Sequence, residues 1–418
     1  MAQSMHASEP KRYGKIILLT SLYTSQFLPS AFFFQGLPVF MRQQDTSLEV
    51  IGLLGFLTLP WMLKFLWAPL IDLYGWSKWG HYKSWIVGIQ SLLAIVLVAC
   101  SNIDASENAA VLFGSVFLIV TLAATQDIAT DALAFNLLTP SERGWGNGIQ
   151  SAGRSIGGII GGGVMLLVLN QVGWHMSLWI LAATVLLALL PLLKYRETRH
   201  HTQPDSFAKE TPGATNQTSQ TPAYFKTLLS FFRRPGVWHW LFFIWLYVTG
   251  TSIASSMFRP LLVDIDLSMA EIGWIKGIVG SVAAIIGSLL AGGLIQPLGR
   301  RRALVMFGLL QAIAVLALIL PAIGITHKAV LYTVSSGELF ARALATTALF
   351  TVMMDKSREA SAGSDYTLQS SAYMIGHHVG IPAFSGFIAS SVGYTGVFSI
   401  SFLFCLLGAW LATRVKCD

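Results

Sequence analysis

Apolar runs of about twenty residues, the length an α-helix needs to cross the hydrocarbon of a bilayer, recur along the whole chain and are parted by short polar stretches. Twelve are read, near 15–41, 48–72, 84–101, 108–136, 146–170, 174–194, 237–259, 268–296, 302–324, 329–355, 364–391 and 394–414. The one long polar break lies between Tyr195 and Pro235, where Thr202 to Thr221 is rich in Thr, Gln, Pro and Ser and reads as a flexible linker. The pattern predicts an all-α integral membrane protein: a six-helix unit at 1–194, a linker at 195–235 and a second six-helix unit at 236–418.

The two units repeat each other. Ser47 to Gly52 corresponds to Ser268 to Gly273, Gln150, Ser151 and Gly157 to Gln369, Ser370 and Gly376, and Val172-Gly173-Trp174 to Val392-Gly393-Tyr394, at offsets of 219–221. A constant offset over several helices marks a duplicated unit. Six helices per copy give both the same orientation, a parallel repeat about an axis along the membrane normal. Thr46-Ser-Leu-Glu49 and Ser268-Met-Ala-Glu271 both fit a capping box that starts a helix.

Composition agrees: 54% of residues are hydrophobic and 11% charged, against about 25% charged in soluble domains. The net charge of +7 reports orientation and not a nucleic-acid partner. With the amino terminus inside, Lys11, Arg12, Lys15, Lys78, Lys83, Arg143, the linker cations, Arg300 to Arg302, Lys356, Arg358, Arg414 and Lys416 all fall on one side, and chiefly Arg42, Arg259 and Lys328 on the other. By the positive-inside rule both termini are expected in the cytoplasm. The basic segment Met1 to Tyr13 has no cleavage site and is expected to stay attached. Cys100, Cys405 and Cys417 have neither disulfide nor zinc spacing, and no cofactor, metal or nucleotide-binding motif is present.

An ionisable group inside hydrocarbon costs roughly 2.5–3.5 kcal/mol and needs a partner, water or a substrate. In Thr125-Gln-Asp-Ile-Ala-Thr-Asp131 two carboxylates stand one turn apart on one face of the fourth helix. Lys64, Asp127 and Arg154 all lie roughly 13 Å from the inner helix ends, so Lys64, Asp127, Asp131 and Arg154 are expected to form a neutral cluster. Such a cluster either ties three helices together or lines a solute path; both readings stand. In the other copy Glu338 and Arg342 share a face, and Glu338 with His377 or His378 is the leading proton-coupling candidate. None of these charges is shared by the repeat: Asp127, Asp131, Arg154 and Glu338 map onto Thr346, Phe350, Tyr373 and Ile119. Gln26, Gln35, Gln126, Gln150, Gln369 and Tyr373, with Lys64, Arg154 and Arg342, are candidate substrate-lining residues, since an amide facing lipid needs a partner. The fifth-helix glycines Gly153, Gly157, Gly158, Gly161, Gly162 and Gly163 read as close packing between the two halves.

Asp72-Leu-Tyr-Gly75 with Lys83, echoed by Gly299-Arg300-Arg301-Arg302, resembles the signature loop of the major facilitator superfamily. The stretches Leu59 to Asp72, Thr125 to Asp131, Ser141-Glu-Arg-Gly144 and Gly146-Asn-Gly-Ile-Gln150 are similar to the branch of the muropeptide permease AmpG and the RhtX/FptX-type siderophore permeases. Twelve helices and Phe33-Phe-Gln-Gly-Leu-Pro38 favour the siderophore type. The resemblance implies a superfamily fold and a monomeric, proton-coupled importer of a siderophore in the bacterial inner membrane, whose partners are that small molecule, protons and membrane lipids. Asp72, Gly75, Lys83, Gly299, Arg300 and Arg301 would be its conformational loops; Asp127, Asp131, Glu338, His377 and His378 would carry coupling protons. Muropeptide or acetyl-CoA transport is the alternative. A membrane enzyme would need a nucleophile or metal cluster on an accessible loop, and the short loops offer none.

Overall fold

The computed structural model describes residues 12–43, 53–75, 79–103, 109–197, 228–379 and 381–416. The expected capping box at Thr46, most of the linker and Lys78 lie outside them. Within them run twelve helices: α1 (Arg12–Gln43), α2 (53–73), α3 (His81–Cys100), α4 (Ala109–Leu137), α5 (143–172), α6 (174–194), α7 (Val237–Asp264), α8 (269–298), α9 (300–322), α10 (Lys328–Asp355), α11 (362–392) and α12 (394–412). Among the described residues nine stretches are long and apolar enough to cross a membrane, and the 52-residue Arg143–Lys194 is two crossings folded back at Gly173. The interrupted helices α2 and α11 complete the twelve.

The repeat reaches the backbone. Gly173 adopts φ 75°, ψ 179°, and Gly393, 220 positions on, φ 67°, ψ 176°. Glycine alone reaches that left-handed region without steric cost, and each glycine turns one helix straight into the next. Irregular turns repeat too. A 3₁₀ turn at Leu53–Thr58 in α2 has its counterpart in a π turn at Gly273–Val279 in α8. A π turn at Ile159–Val164 in α5 matches the break around Ile381–Phe384 in α11. In α2, Pro60 and Pro69 each stand in the first turn of a short helix, where a missing N–H is tolerated; the expected single span 48–72 is therefore a series of short pieces.

In one half α1 packs on α4 and α5, and α3 on α4 and α6; in the other α7 packs on α11 and α12, and α9 on α10 and α12. The halves meet through α5 on α8 and α2 on α11. One buried core joins residues of both halves, Tyr23, Ala129 and Leu133 with Trp240, Phe350 and Tyr366. It lies toward the face that carries Arg12 and Lys416, called here the terminal face. Toward the opposite face the core divides, with Leu28, Phe33, Leu93 and Leu178 in one cluster and Ala254, Phe258, Val315 and Phe398 in another. The halves are thus fused at one end and separately packed at the other. Around the outside, Leu167, Leu187, Ile313 and Leu403 are each more than 60% exposed, an apolar belt suited to lipid.

The α5 glycines correct an expectation. A Cβ on Gly153, Gly157 or Gly161 would stand 2.8, 2.9 or 2.2 Å from Tyr23, Thr24 or Leu28, all on α1 of the same half. The glycines that admit the other half are Gly144 and Gly148, which would meet Gly292 and Ser288 of α8. Residues one turn apart along a helix share a face, and two such faces coexist on α5.

Candidate functional site

The α4 acids separate into two environments. Asp127 is bound by the Lys64 ammonium of α2 and by the side-chain amide of Gln26 on α1. Lys64 reaches that depth because the broken α2 turns its side chain inward, 2% exposed, with the ammonium 5.5 Å from the Trp61 ring centre. Among the described residues Asp131 forms no ion pair. Its Oδ1 accepts from the Tyr23 hydroxyl at 3.0 Å and from Gln150 Nε2 at 2.8 Å, while its buried Oδ2 has no partner. The other end of the Gln150 amide faces the Tyr366 hydroxyl of α11 at 2.9 Å, whose single hydrogen is shared between Gln150 Oε1 and Asn147 Oδ1 at 3.2 Å.

Arg154 is not part of this cluster, against expectation. With the helices starting at Arg143 and ending at Leu137, Arg154 and Asp127 both lie roughly 15 Å from the terminal face, but their side chains go different ways. The guanidinium lies between two aromatic faces, 4.7 Å from the Phe27 ring centre of its own half and 5.5 Å from that of Phe350 across the interface. Cations are held over aromatic rings by the ring quadrupole, which leaves the in-plane N–H groups free. Its Nε is buried without a hydrogen-bond partner, and among the described residues Arg154 forms no ion pair.

From Phe350 a run of rings leads into the second half. Tyr373 stands edge-on to Phe350 at 5.0 Å and is stacked on His377 at 6.1 Å; His377 Nδ1 is 2.6 Å from Ser252 Oγ, and His378 lies edge-on to His377 at 4.7 Å. Glu338 does not pair with either histidine. It binds Lys276 Nζ of α8 at 3.2 Å and Arg342 Nε at 3.4 Å, with Ser255 Oγ at 3.5 Å; Arg342 Nη1 also donates to Ser255 at 2.9 Å. Two cations within reach neutralise the carboxylate better than an imidazole does. Lys276 was missed although a lysine inside the expected span 268–296 is itself a signal; its partner was not legible, because only the lateral packing of α8 on α10 brings it to Glu338.

Three expected lining amides are placed elsewhere. Gln369 is saturated inside its own half by Trp240 Nε1, Met353 O, Ser357 Oγ and Asp365 O. Gln126 turns from the acids to bond Gln90 at 3.0 Å, which itself bonds Val185 O. Gln35 is exposed beside Gly162, toward the opposite face.

The terminal face is closed by bonds between the halves. Asp72 accepts from the Ser364 amide at 2.7 Å, its hydroxyl at 2.6 Å and the Gly363 amide at 3.2 Å, so it caps the amino end of α11 from the other half. Arg143 and Arg300, from different halves, share Asp355 at 3.0 and 2.9 Å, and Arg300 also reaches Pro140 O at 2.5 Å. Thr347 meets Ser151 at 3.3 Å. All these contacts lie between the terminal face and the level of Arg154. Lys83 and Arg301 act within their own halves, on Leu193 O and Tyr195 O and on Thr413 O. Gly75 lies against the His81 ring, and Gly299 turns the chain at φ 78°. In the loop before α5, burial pushes the Glu142 carboxyl up, but bonds from Lys15 and from the Thr139 amide and hydroxyl outweigh it and hold the group below its ordinary 4.5.

The sequence profile of the Major Facilitator Superfamily matches residues 19–381. An uncharacterised protein of Haemophilus influenzae is 30% identical over 391 residues, 91% of this chain and 88% of that one. The anhydromuropeptide permease of Escherichia coli K12 is 26% identical over 379 residues, 90% of this chain and 74% of that one. Among solved structures, the human organic anion transporter MFSD10 has a TM-score of 0.72 at 15% identity, covering 96% of this chain and 100% of that one. FucP in its outward conformation has a TM-score of 0.64 at 16% identity, covering 96% and 99%. At those identities the likeness to solved structures is one of fold.

Proposed function

Because this chain belongs to the Major Facilitator Superfamily, its halves are those of a membrane transporter, and we propose that it imports an anionic sugar–peptide of the anhydromuropeptide class in symport with protons. The observation that carries this reading is Arg154, a cation with no carboxylate of its own, held between Phe27 and Phe350 of the two halves just above the closed layer. An Arg fork left free in its plane matches a carboxylate, and the ring faces beside it, with Tyr373 and His377, suit an apolar or sugar surface. Arg342, tied to its own half through Ser255, is the second anion-binding candidate. Asp131 is the proposed proton carrier, since it touches only neutral partners, whereas Glu338 is already met by two cations. Glu338 and Lys276 then position Arg342. The charge asymmetry of the loops supports both termini in the cytoplasm, and the bacterial relatives support the inner membrane.

The siderophore reading rests on Phe33 to Pro38 and on the number of helices; the anhydromuropeptide permease among the relatives favours the muropeptide. Uptake of radiolabelled anhydromuropeptide and of a ferric siderophore into proteoliposomes under an imposed pH gradient separates them. Accumulation of the muropeptide that a protonophore abolishes is expected. Accumulation of the siderophore alone would reverse the assignment, and accumulation of neither would remove both.

A further inference from the structure

We infer that the basic pocket where α8 ends and α9 and α12 meet at the terminal face holds the phosphate of an anionic phospholipid, whose acyl chains lie along the outward faces of α9 and α12. The pocket, about 550 Å³, is walled by five cations, Arg300, Arg301 and Arg302 at the start of α9 and Arg414 and Lys416 after α12, and among the described residues by no acidic side chain. Of the five, Arg300 alone pairs with a carboxylate among the described residues, that of Asp355. Arg301 donates to Thr413 O, and Lys356 to Lys416 O at 2.8 Å, so the chain after α12 is tied down and the wall is formed in advance. Four uncompensated like charges around one cavity repel one another. A phosphodiester relieves that repulsion, and its two free oxygens match the guanidinium forks.

The lipid-facing sides of both helices run into these cations. On α9 Ile313, Leu309, Met306 and Arg302, and on α12 Leu403, Leu407, Trp410 and Arg414, follow one another at alternate steps of four and three residues, so each set forms one stripe along its helix. Every member of both stripes is exposed. The two helices pack on each other, and the cationic ends of both stripes line the one pocket, so the stripes converge there. Trp410 stands one turn before the charge, with the Arg414 guanidinium 4.6 Å from its ring centre, the amphipathic placement that suits headgroup depth. A free phosphate would use the cations and leave the stripes idle; a phospholipid engages both, its chains on the apolar positions and its phosphate among the arginines. Such a site requires only that this face lie at one surface of the membrane, whatever solute the transporter carries.

Native mass spectrometry of the full chain, stripped of lipid in detergent, gives the dissociation constant of the first bound phosphatidylglycerol and of phosphatidylcholine with the same chains. The parent is expected to hold phosphatidylglycerol at least about thirtyfold more tightly. Arg302→Gln with Arg414→Gln is expected to weaken phosphatidylglycerol by roughly thirtyfold, at about fivefold for each basic residue, and so to erase most of the preference. Either single variant, with its own fivefold loss, decides if the double variant fails to fold. Lys194→Gln with Arg233→Gln removes the same charge from exposed positions elsewhere on the terminal face and should leave the preference intact. An equal loss in that second pair, an undiminished preference in folded Arg302 and Arg414 variants, or no preference in the parent overturns the site. Displacement of phosphatidylglycerol by millimolar inorganic phosphate would give the pocket to a soluble anion and overturn the lipid.

Discussion

Tyr366 and Asn147, which hydrogen-bond across the interface at 3.2 Å, are the same position of the repeat, 219 residues apart. Residues on a pseudo-twofold axis meet their own copies, so this bond lies beside the axis. A buried neutral bond contributes about 0.5–1.5 kcal/mol. A double-mutant cycle of Tyr366→Phe and Asn147→Ala, read by thermal unfolding in detergent, should give a coupling energy in that range; strict additivity of the two losses would show that the contact is not made.

Removing Arg154 strands no carboxylate, so it should affect binding and spare the fold. Arg154→Gln is expected to weaken muropeptide binding by roughly ten- to a hundredfold, as for a charged hydrogen bond, with the melting temperature within about 2 °C of the parent. Arg154→Lys should recover only part of the loss, because a compact ammonium does not lie flat between Phe27 and Phe350. Calorimetric titration with scanning calorimetry checks both; equal binding in all three proteins would take Arg154 out of the site.

Lys64 behaves in the opposite way. Lys64→Met leaves Asp127 buried and uncompensated, at about 3–5 kcal/mol, and should sharply reduce the yield of folded protein. Lys64→Met with Asp127→Leu should fold again. Transport by that double variant then decides between a purely structural pair and one on the solute path.

Glu142 sets a pH dependence at the terminal face. Its carboxyl is held below the ordinary 4.5 in the folded protein, so its bonds to Lys15 and Thr139 stabilise the fold above that pH and lose their effect as pH falls through the lowered value. The difference in stability between the parent and Glu142→Gln, up to about 1 kcal/mol for such a partly exposed pair, should be constant from pH 6 to 8 and vanish in acid. A difference that grows on acidification would contradict the lowered ionisation.

A Cβ on Gly148 would stand 2.7 Å from Ser288 O of the other half, too close to fit without moving backbone. Gly148→Ala should part α5 from α8 and speed the labelling of Thr347→Cys by a membrane-impermeant thiol reagent from the terminal side. Gly158→Ala, with nothing within 4 Å, should leave the rate unchanged.

What was legible in the sequence runs along the helix axes. Apolar runs located the crossings, a shared offset located Gly173 and Gly393, and counting turns put Lys64 level with Asp127, which it binds. What was not legible is lateral. Arg154 stands at that same level but points to two rings, Phe27 and Phe350, whose positions depend on how α1 and α10 rotate against α5. Gln150 and Gln369 are repeat mates of one residue type; only the half with Asp131 turns its glutamine to the interface, and Trp240 and Asp365 occupy the other. The partner of Lys276 is hidden for the same reason, since no periodicity tells which neighbour a buried lysine meets.

The glycine creases at 173 and 393 leave no slack between α5 and α6 or between α11 and α12. Each pair is a stiff lever with one arm in the protein interior and one against lipid, where Trp179 and Leu187 of α6 and Leu403 and Trp410 of α12 lie exposed. An inner arm that swings must drag its outer arm through the hydrocarbon, so bilayer thickness and lateral pressure enter the energetics of turnover. Membrane composition, acting on residues far from any solute, becomes a throttle on the rate.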